Sequence, residues 1–172
     1  MQKSKKPSDS LTVMTNMVLP NETNHLGNMF GGELLARMDR AASIAGTRHS
    51  GNIVVTASVN HVSFSKSIPE GGIVVLEAKV SRAFSTSMEV YVDVWLDDPI
   101  NQTKVYTNSG IYTFVAVDEN GKPVKIPEIV PETEVEIERF AAAKRRKELS
   151  LILSDRMKPT DSVELKKLFL GE

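Results

Sequence analysis

One long amphipathic segment followed by four consecutive strand-like segments most limits how this chain can fold. From about Gly32 to His49, apolar residues recur at helical spacing, so that half of the predicted helix is apolar. The polar face carries Glu33, Arg37, Arg40 and Arg48, and the apolar face consists of Leu34, Leu35, Met38, Ala41, Ala42 and Ala45. Nothing else in this region is available to cover that face, so the strands that follow must wrap around the helix. These segments alternate apolar and polar residues and span Ile53–Phe64, Gly72–Phe84, Ser87–Leu96 and Lys104–Val117.

The flanking segments complete the predicted architecture. Leu11–Leu19 alternates imperfectly and is rich in β-branched residues, which predicts a first strand. Near the carboxy terminus, Thr133–Leu153 has the pattern of an amphipathic helix with Thr133 as its N-cap, and Ser162–Leu170 predicts a short second helix. The sequence therefore predicts an α+β domain in which a curved antiparallel sheet of about five strands wraps a long central helix. We place this domain at residues 10–127 and a helical extension at 128–172.

Composition excludes several classes of function. The 172 residues carry a formal net charge of −1, so no global field draws the chain toward nucleic acid or an anionic membrane. No cysteine is present, which excludes a disulfide framework, a thiolate metal site and a cysteine nucleophile. The histidines lack a second ligand-type residue at metal-site spacing, so we interpret them as structural and expect no metal: His25, His49 and His61.

Targeting signals are also absent from the sequence pattern. The basic amino-terminal stretch M-Q-K-S-K-K-P-S-D-S has no apolar segment behind it, and no apolar run reaches the length of a membrane span. We therefore expect neither secretion nor membrane insertion, and a cytoplasmic location.

Asp39 lies at the border of the apolar face of the predicted helix. A helical carboxylate is ordinarily paired one turn away, but the residues at those positions carry no charge: Leu35, Ala36, Ala42 and Ser43. Such a carboxylate either faces a cleft with a function or pairs with a distant part of the structure. The pattern alone leaves both interpretations open.

The segment before the helix carries two further candidates. Gly31 and Gly32 leave the amides of the first helical turn unobstructed, so the positive end of the helix dipole could bind an anion or stabilise an oxyanion. The alternative is a tight turn that requires positive φ. Asn24 could hydrogen-bond a ligand, or it could be an ordinary turn-forming residue.

Taken together, these residues form a longer motif, N-x-x-G-x-x-F-G-G-x-L-L-x-x-M-D, from Asn24 to Asp39. It resembles the signature of the hotdog-fold acyl-CoA thioesterases of the acyl-CoA hydrolase family. The resemblance covers Val13 to Pro127 and continues through V-V-T-A-S-V-N-H-V-S-F, the Pro69-Glu-Gly-Gly turn and the Thr113-Phe-Val-Ala-Val-Asp strand end. It implies the hotdog fold, a long helix wrapped by a curved antiparallel sheet.

The resemblance also implies an activity and the roles of particular residues. It implies hydrolysis of acyl-CoA to free acid and CoA, with no cofactor other than the CoA of the substrate. Asp39 would be the general base or the nucleophile, and Asn24 of a partner subunit would orient the thioester or the water. Thr56 would lie beside the carboxylate, while Gly31 and Gly32 would supply oxyanion donors.

For the CoA moiety we expect contacts from Lys66 and from a hydroxyl-rich tract around a strand turn. Lys66 lies in Phe64-Ser-Lys-Ser-Ile68, where relatives often have F-x-K-P-I. The tract could hold phosphate, although a hydroxyl-rich hairpin explains it equally well. Its candidate residues are Arg82, Ser85, Thr86 and Ser87.

The resemblance further implies a homodimer whose two sheets join, assembled as three dimers in a hexamer. A non-catalytic acyl-CoA-binding sensor on the same fold is the alternative function. A hotdog dehydratase fits less well, because that chemistry requires a catalytic histidine with a carboxylate, and no histidine here is suitably placed.

Overall fold

The computed structural model describes residues 3–171, which form two compact units. The first unit ends at Val130 and the second begins at Pro131. The first two residues of the basic amino-terminal tail and Glu172 of the predicted extension lie outside the described residues.

Within residues 3–130, the first unit contains one long helix and seven strands. In chain order these elements are β1 (Ser4–Lys5), β2 (Thr12–Met17), α1 (Gly31–Ser50), β3 (Ile53–Phe64), β4 (Ile73–Ala83), β5 (Ser87–Asp98), β6 (Thr103–Val117) and β7 (Glu128–Ile129). Short 3-10 turns occupy Pro7–Ser10 and Pro20–Glu22. The predicted helix and five predicted strands are all present, whereas the β1–β7 pair was not predicted from the sequence.

Five strands form one antiparallel sheet in the order β2-β4-β5-β6-β3. Helix α1 packs against all five of them, which is the wrapped arrangement that the sequence predicts. Because β2 and β3 lie at the two ends of this order, each has one neighbour in the sheet and one free edge.

The core lies between the apolar face of α1 and the inner face of the sheet. The predicted helix face is confirmed for Leu34, Met38, Ala41, Ala42 and Ala45, which are buried. Leu35, from the same predicted face, is half-buried. On β6, a Cβ atom at Gly110 would collide with the end of the Met38 side chain, so the absence of a side chain there leaves room for Met38 against the sheet.

Arg37 corrects one detail of the predicted helix. The helical pattern places it on the polar face, but it is 6% exposed. Its Nη2 atom donates to both carboxylate oxygens of Glu22, at 2.6 and 2.7 Å, and to the carbonyl oxygen of Met17 at 3.3 Å. A long side chain can reach a partner beyond its own helix face, and periodicity along one helix does not report such a partner.

The second unit consists of α2 (Glu134–Leu153) and α3 (Glu164–Leu170), which pack on each other. Thr133 is the N-cap of α2 as predicted, since its Oγ1 atom accepts from the Glu136 amide at 3.3 Å. The Glu148 carboxylate accepts from the amides of Glu164 and Leu165 at 2.9 and 3.1 Å, and so satisfies the start of α3. Within residues 3–171, no helix is both long and apolar enough to cross a membrane.

Candidate active site

Asp39 pairs with a distant strand instead of with its own helix. The Thr56 hydroxyl on β3 donates to Asp39 Oδ1 at 2.9 Å, and Asp39 is half-buried. The register of β3 against β6 shifts directly after Thr56, and such bulges redirect side chains. The structure therefore brings together two residues of the predicted site, a carboxylate and a hydroxyl that orients it.

Tyr112 on β6 joins this group, and the sequence analysis missed it. Its hydroxyl donates to the carbonyl oxygen of Leu35, one helical turn before Asp39, at 3.3 Å. Burial, with a smaller contribution from the negative charge of Asp39, raises the pKa of Tyr112 well above its ordinary value. The hydroxyl therefore stays protonated. Alternation along β6 places Tyr112 on the core side, where a phenol needs an acceptor, and this signal could have identified it.

Asn24 lies in a loop that fixes its amide orientation. Its Oδ1 atom accepts from the backbone amides of Leu26 at 2.9 Å and Asn28 at 3.3 Å. The turn also requires Gly27, which has a φ of 70°. Since Oδ1 must face those donors, the Nδ2 group, which has no acceptor among residues 3–171, is the part of Asn24 that can donate to a ligand.

Asn24 lines a cleft of about 400 Å³ together with the start of α1. We call this the Asn24 cleft, and its polar lining includes Lys66 and Asn108. Its apolar lining includes Met29, Leu34, Phe64 and Ile68. The cleft thus combines hydrogen-bond donors with an apolar wall, as small-molecule sites commonly do.

The start of α1 is an uncapped helix terminus. Its N-cap residue is Phe30, which provides no side-chain hydrogen bond. Neither Gly31 nor Gly32 has positive φ, so the alternative explanation of a strained turn does not apply. A Cβ atom at Gly32 would have no atom within 4 Å, whereas one at Gly31 would lie 3.4 Å from the Phe64 ring. The first amides of α1 therefore adjoin open space and are suited to an acceptor oxygen.

Within one chain, however, these two groups of residues lie apart. Asp39 follows Gly31 by eight residues, which corresponds to about 12 Å along the helix. Within a single chain, Asp39 therefore lies too far from the terminus of its own α1 for both to contact one carbonyl oxygen. Asn24 and the helix terminus form one half of the predicted site, and Asp39 with Thr56 forms the other.

The predicted CoA contacts are also separated. Lys66 lines the Asn24 cleft, but the hydroxyl tract lies at the turn between β4 and β5. On β6, Phe64 pairs with Asn108 and Ser87 pairs with Val115, seven residues or about 23 Å further along the strand. The tract itself forms a hairpin in which the Phe84 amide donates to the Ser87 carbonyl at 2.8 Å. One chain does not bring Lys66 together with Arg82, Ser85, Thr86 and Ser87.

The histidines lie outside these groups. His49 is buried, and its Nε2 atom lies 2.8 Å from the Pro127 carbonyl oxygen. Burial lowers the pKa of His49, which favours a neutral imidazole in a structural role, as predicted. His25 and His61 are exposed. Of the residues that the structure describes, no cluster of three or more His, Cys, Asp or Glu side chains could hold a metal ion.

Comparison with known proteins finds relatives that are named as thioesterases. Residues 26–101 match the Thioesterase superfamily. An uncharacterized acyl-CoA thioester hydrolase of Bacillus subtilis, YkhA, is 41% identical over 129 residues, which is 75% of each chain. A hexameric acyl-CoA thioesterase solved in its apo form is 39% identical with a TM-score of 0.85, over 90% of this chain and 98% of that one.

A further solved relative is an acyl-CoA hydrolase of Staphylococcus aureus in complex with butyryl coenzyme A, coenzyme A and coenzyme A disulfide. It is 36% identical with a TM-score of 0.85, over 98% of this chain and 99% of that one. The same hydrolase has been solved with an Asn, an Asp or a Thr replaced by alanine. The positions of those three residues differ by 15 and 17, as do Asn24, Asp39 and Thr56 here. These likenesses confirm the predicted hotdog fold.

Proposed function

Because this chain belongs to the acyl-CoA thioester hydrolases of the thioesterase superfamily, we propose that it hydrolyses acyl-CoA to a carboxylic acid and CoA in a site completed by two chains. The observation that carries this proposal is the environment of the Asp39 carboxylate. It is half-buried, it accepts a hydrogen bond from Thr56, and it pairs with no cation within residues 3–171. A carboxylate oriented in this way is suited to accept a proton.

In the proposed reaction, Asp39 acts as a general base. Thr56 holds Oδ1, which leaves Oδ2 to accept a proton from water as the water oxygen attacks the thioester carbonyl carbon. The tetrahedral intermediate then collapses, the carbon–sulfur bond breaks, and the CoA thiolate takes up the proton that Asp39 accepted, which regenerates the Asp39 carboxylate. No cofactor is needed for these steps. Direct attack by Asp39 would instead expel the CoA thiolate and give a mixed anhydride. If water then attacks the Asp39 carbonyl of that anhydride, a single turnover in ¹⁸O-labelled water places the label in the Asp39 carboxylate, which the general-base route does not.

We assign the oxyanion donors to the partner chain. Asn24 Nδ2 and the first amides of α1 line one cleft, about 12 Å along the helix from Asp39 of the same chain. For one thioester carbonyl to contact both Asp39 and the donors of the Asn24 cleft, those donors must come from a different chain than Asp39. The Asn, Asp and Thr spacing shared with the Staphylococcus aureus hydrolase supports the choice of Asn24, Asp39 and Thr56 as the reacting set. In the same assembly, Lys66 of one chain and the Arg82–Ser87 tract of another would contact CoA.

Strand β3 is the proposed joining edge between the two sheets. It is at the end of the sheet, and it carries both Thr56 and exposed apolar residues, including Val55 and Val59. Pairing two β3 edges would satisfy their open backbone groups and extend the sheet across both chains. The hexameric relative supports a further assembly of three such dimers.

Replacing Asp39 with Asn tests the proposed base. The substitution keeps the size of the side chain but removes its basicity, so we expect kcat to fall by roughly 10²–10⁴-fold with little change in melting temperature. Release of CoA from a graded series of acyl-CoA substrates is followed with a thiol-trapping reagent. The matched control is Glu138→Gln, which neutralises an exposed helical carboxylate and should leave turnover unchanged.

The same assay separates the enzyme from the sensor alternative. Unchanged turnover in a folded Asp39→Asn protein would exclude Asp39 as the base. Tight binding of acyl-CoA by the wild-type protein without hydrolysis of any member of the series would favour the non-catalytic sensor.

A further inference from the structure

Asn108 occupies a position on β6 where the core is otherwise apolar. Residues at alternate positions of this strand, Gly110, Tyr112 and Phe114, face the core, and Asn108 is in register with them. Its exposure is 1%. The Asn108 amide is therefore a buried polar group at the end of the core face of β6, and it lines the same cleft as the start of α1.

Half of this amide has no partner inside the chain. Oδ1 accepts from the Lys66 amide at 3.5 Å, a long and weak hydrogen bond. Nδ2 is buried and has no hydrogen-bond partner within residues 3–171. A buried donor without an acceptor is costly, so such a group in a folded protein calls for a ligand or another explanation.

Asn108 also lines the Asn24 cleft. The cleft is also lined by Asn24, Gly31 and the exposed Lys66, and its apolar wall includes Leu34 and Phe64. A neutral amide donor beside an apolar wall suits an uncharged acceptor better than a phosphate, because a phosphate would lose its hydration there.

We propose that Asn108 Nδ2 donates a hydrogen bond to a carbonyl oxygen of the bound acyl-CoA, either the thioester carbonyl or a pantetheine amide carbonyl. The inference rests on the proposed function, since it assumes that acyl-CoA occupies the Asn24 cleft. It makes Asn108 a substrate-contacting residue that is distinct from Asn24, Asp39 and Thr56.

Asn108→Leu tests this role, because leucine has a similar shape and no donor. We expect an unchanged or higher melting temperature, since a buried unpaired amide is removed, together with a roughly tenfold fall in kcat/KM. The matched control is Thr107→Val on the same strand. Thr107 is equally buried, but its hydroxyl already donates to the Val94 carbonyl at 3.1 Å. The control should lower the melting temperature and leave kcat/KM unchanged.

Two further measurements identify the acceptor. Free CoA contains the pantetheine amides but no thioester, so its affinity is measured by calorimetry for the wild type and for Asn108→Leu. Weaker CoA binding with a raised KM assigns the pantetheine carbonyl, whereas unchanged CoA binding with a lowered kcat assigns the thioester carbonyl. Either result supports the proposal, and Asn108→Ala repeats the test if the leucine variant does not fold.

The opposing results are also distinct. Wild-type kcat/KM and wild-type CoA affinity in both variants would overturn the role of Asn108, whatever their melting temperatures, while leaving the proposed function intact. A wild-type protein that binds CoA but hydrolyses nothing would overturn the proposed function alone, and CoA affinity would then decide the role of Asn108. A wild-type protein that neither binds CoA nor hydrolyses acyl-CoA would overturn both.

Discussion

Asp39 is oriented by a residue seventeen positions later in the sequence. The Thr56 hydroxyl takes one carboxylate oxygen, while Tyr112 fixes the preceding helical turn through the Leu35 carbonyl. The first contact acts on the carboxylate and the second on the backbone that carries it. Their arrangement limits the rotamers of Asp39 without neutralising its charge, as the proposed role of a base requires.

Thr56→Val removes the first of these contacts while keeping a β-branched side chain suited to a strand. We expect kcat to fall by about tenfold, because one hydrogen bond that orients the base is lost, and KM to change less. The melting temperature should stay the same, since Thr56 is exposed. Steady-state kinetics and thermal denaturation check both expectations, with Thr103→Val as the control on an exposed position of β6. Wild-type kcat in the Thr56 variant would remove this residue from the mechanism.

At this scale the sequence marks the proposed reacting residues but not the residues that support them. Asn24 and Asp39 are marked by the motif, and the lack of a charged residue one turn from Asp39 correctly indicated a more distant partner. Tyr112 and Asn108 carry no such mark. Their roles depend on which residues of α1 lie opposite them on β6. The packing of α1 on β6 determines this, and these two elements are far apart in the sequence.

Among the elements, the loop that carries Asn24 is tied to α1 by an ion pair. Glu22 accepts from the Leu19 amide at 2.8 Å and from Arg37 of α1 at 2.6 Å, and its carbonyl oxygen accepts from the Phe30 amide at 2.9 Å. These bonds hold both ends of the segment between Glu22 and the helix start. The position of Asn24 relative to the helix terminus therefore depends on Glu22 and Arg37.

Glu22→Gln should weaken the contact between the Asn24 loop and α1, because it removes the Glu22–Arg37 ion pair. Removing the charge partner of the buried Arg37 is expected to lower the free energy of unfolding by roughly 1–2 kcal/mol at neutral pH. It should also lower kcat/KM, because Asn24 is less well held. Chemical denaturation and acyl-CoA kinetics measure the two effects, with Glu119→Gln as the control on an exposed turn.

The same pair predicts a pH dependence. The Leu19 amide and the Arg37 guanidinium lower the pKa of Glu22 below its ordinary value of 4.5. The stabilisation is therefore fully present above pH 4.5 and is lost as the pH falls through the lower folded-state pKa. The difference in stability between wild type and Glu22→Gln should shrink in that acidic range. A difference that is constant down to pH 2 would show that the charge of Glu22 is not responsible.

For the whole molecule, the two free edges of the sheet have different expected roles. Strand β3 carries Thr56 and lies beside Asp39, whereas β2 lies at the opposite end of the strand order. Both strands expose apolar side chains, including Val59 at 48% and Val13 at 52%. The exposure of apolar residues therefore does not show which edge forms the dimer interface. The proposed shared site requires that it be β3.

Val59→Lys places a charge on the β3 edge and should separate the dimers into monomers, because a lysine opposes pairing with a second strand. Light scattering after gel filtration measures the mass, and acyl-CoA hydrolysis should fall with the loss of dimers. Val13→Lys makes the same change on the β2 edge and should leave the dimer intact. Active monomers of the Val59 variant would contradict a site shared between chains.

The order of elements could be predicted at this scale, but the proposed division of the site between chains could not be derived from the residues. Periodicity predicted α1 and the five strands of the sheet with small shifts at their ends, because each has a continuous pattern of its own. The short parallel pair β1 and β7 has too few residues to form a pattern. The distance between Asp39 and Gly31 follows from the rise of the helix, because α1 begins at Gly31 and contains both residues.

Mixed dimers test most directly whether two chains build the active site. Asn24→Ala and Asp39→Ala are each expected to be inactive as pure proteins. When the two are co-expressed with different affinity tags and purified through both, each heterodimer contains one site with an intact Asn24 and an intact Asp39. We predict that acyl-CoA hydrolysis recovers to about half of the wild-type rate per dimer, as one of two sites is restored. Verified heterodimers without any activity would contradict the shared site.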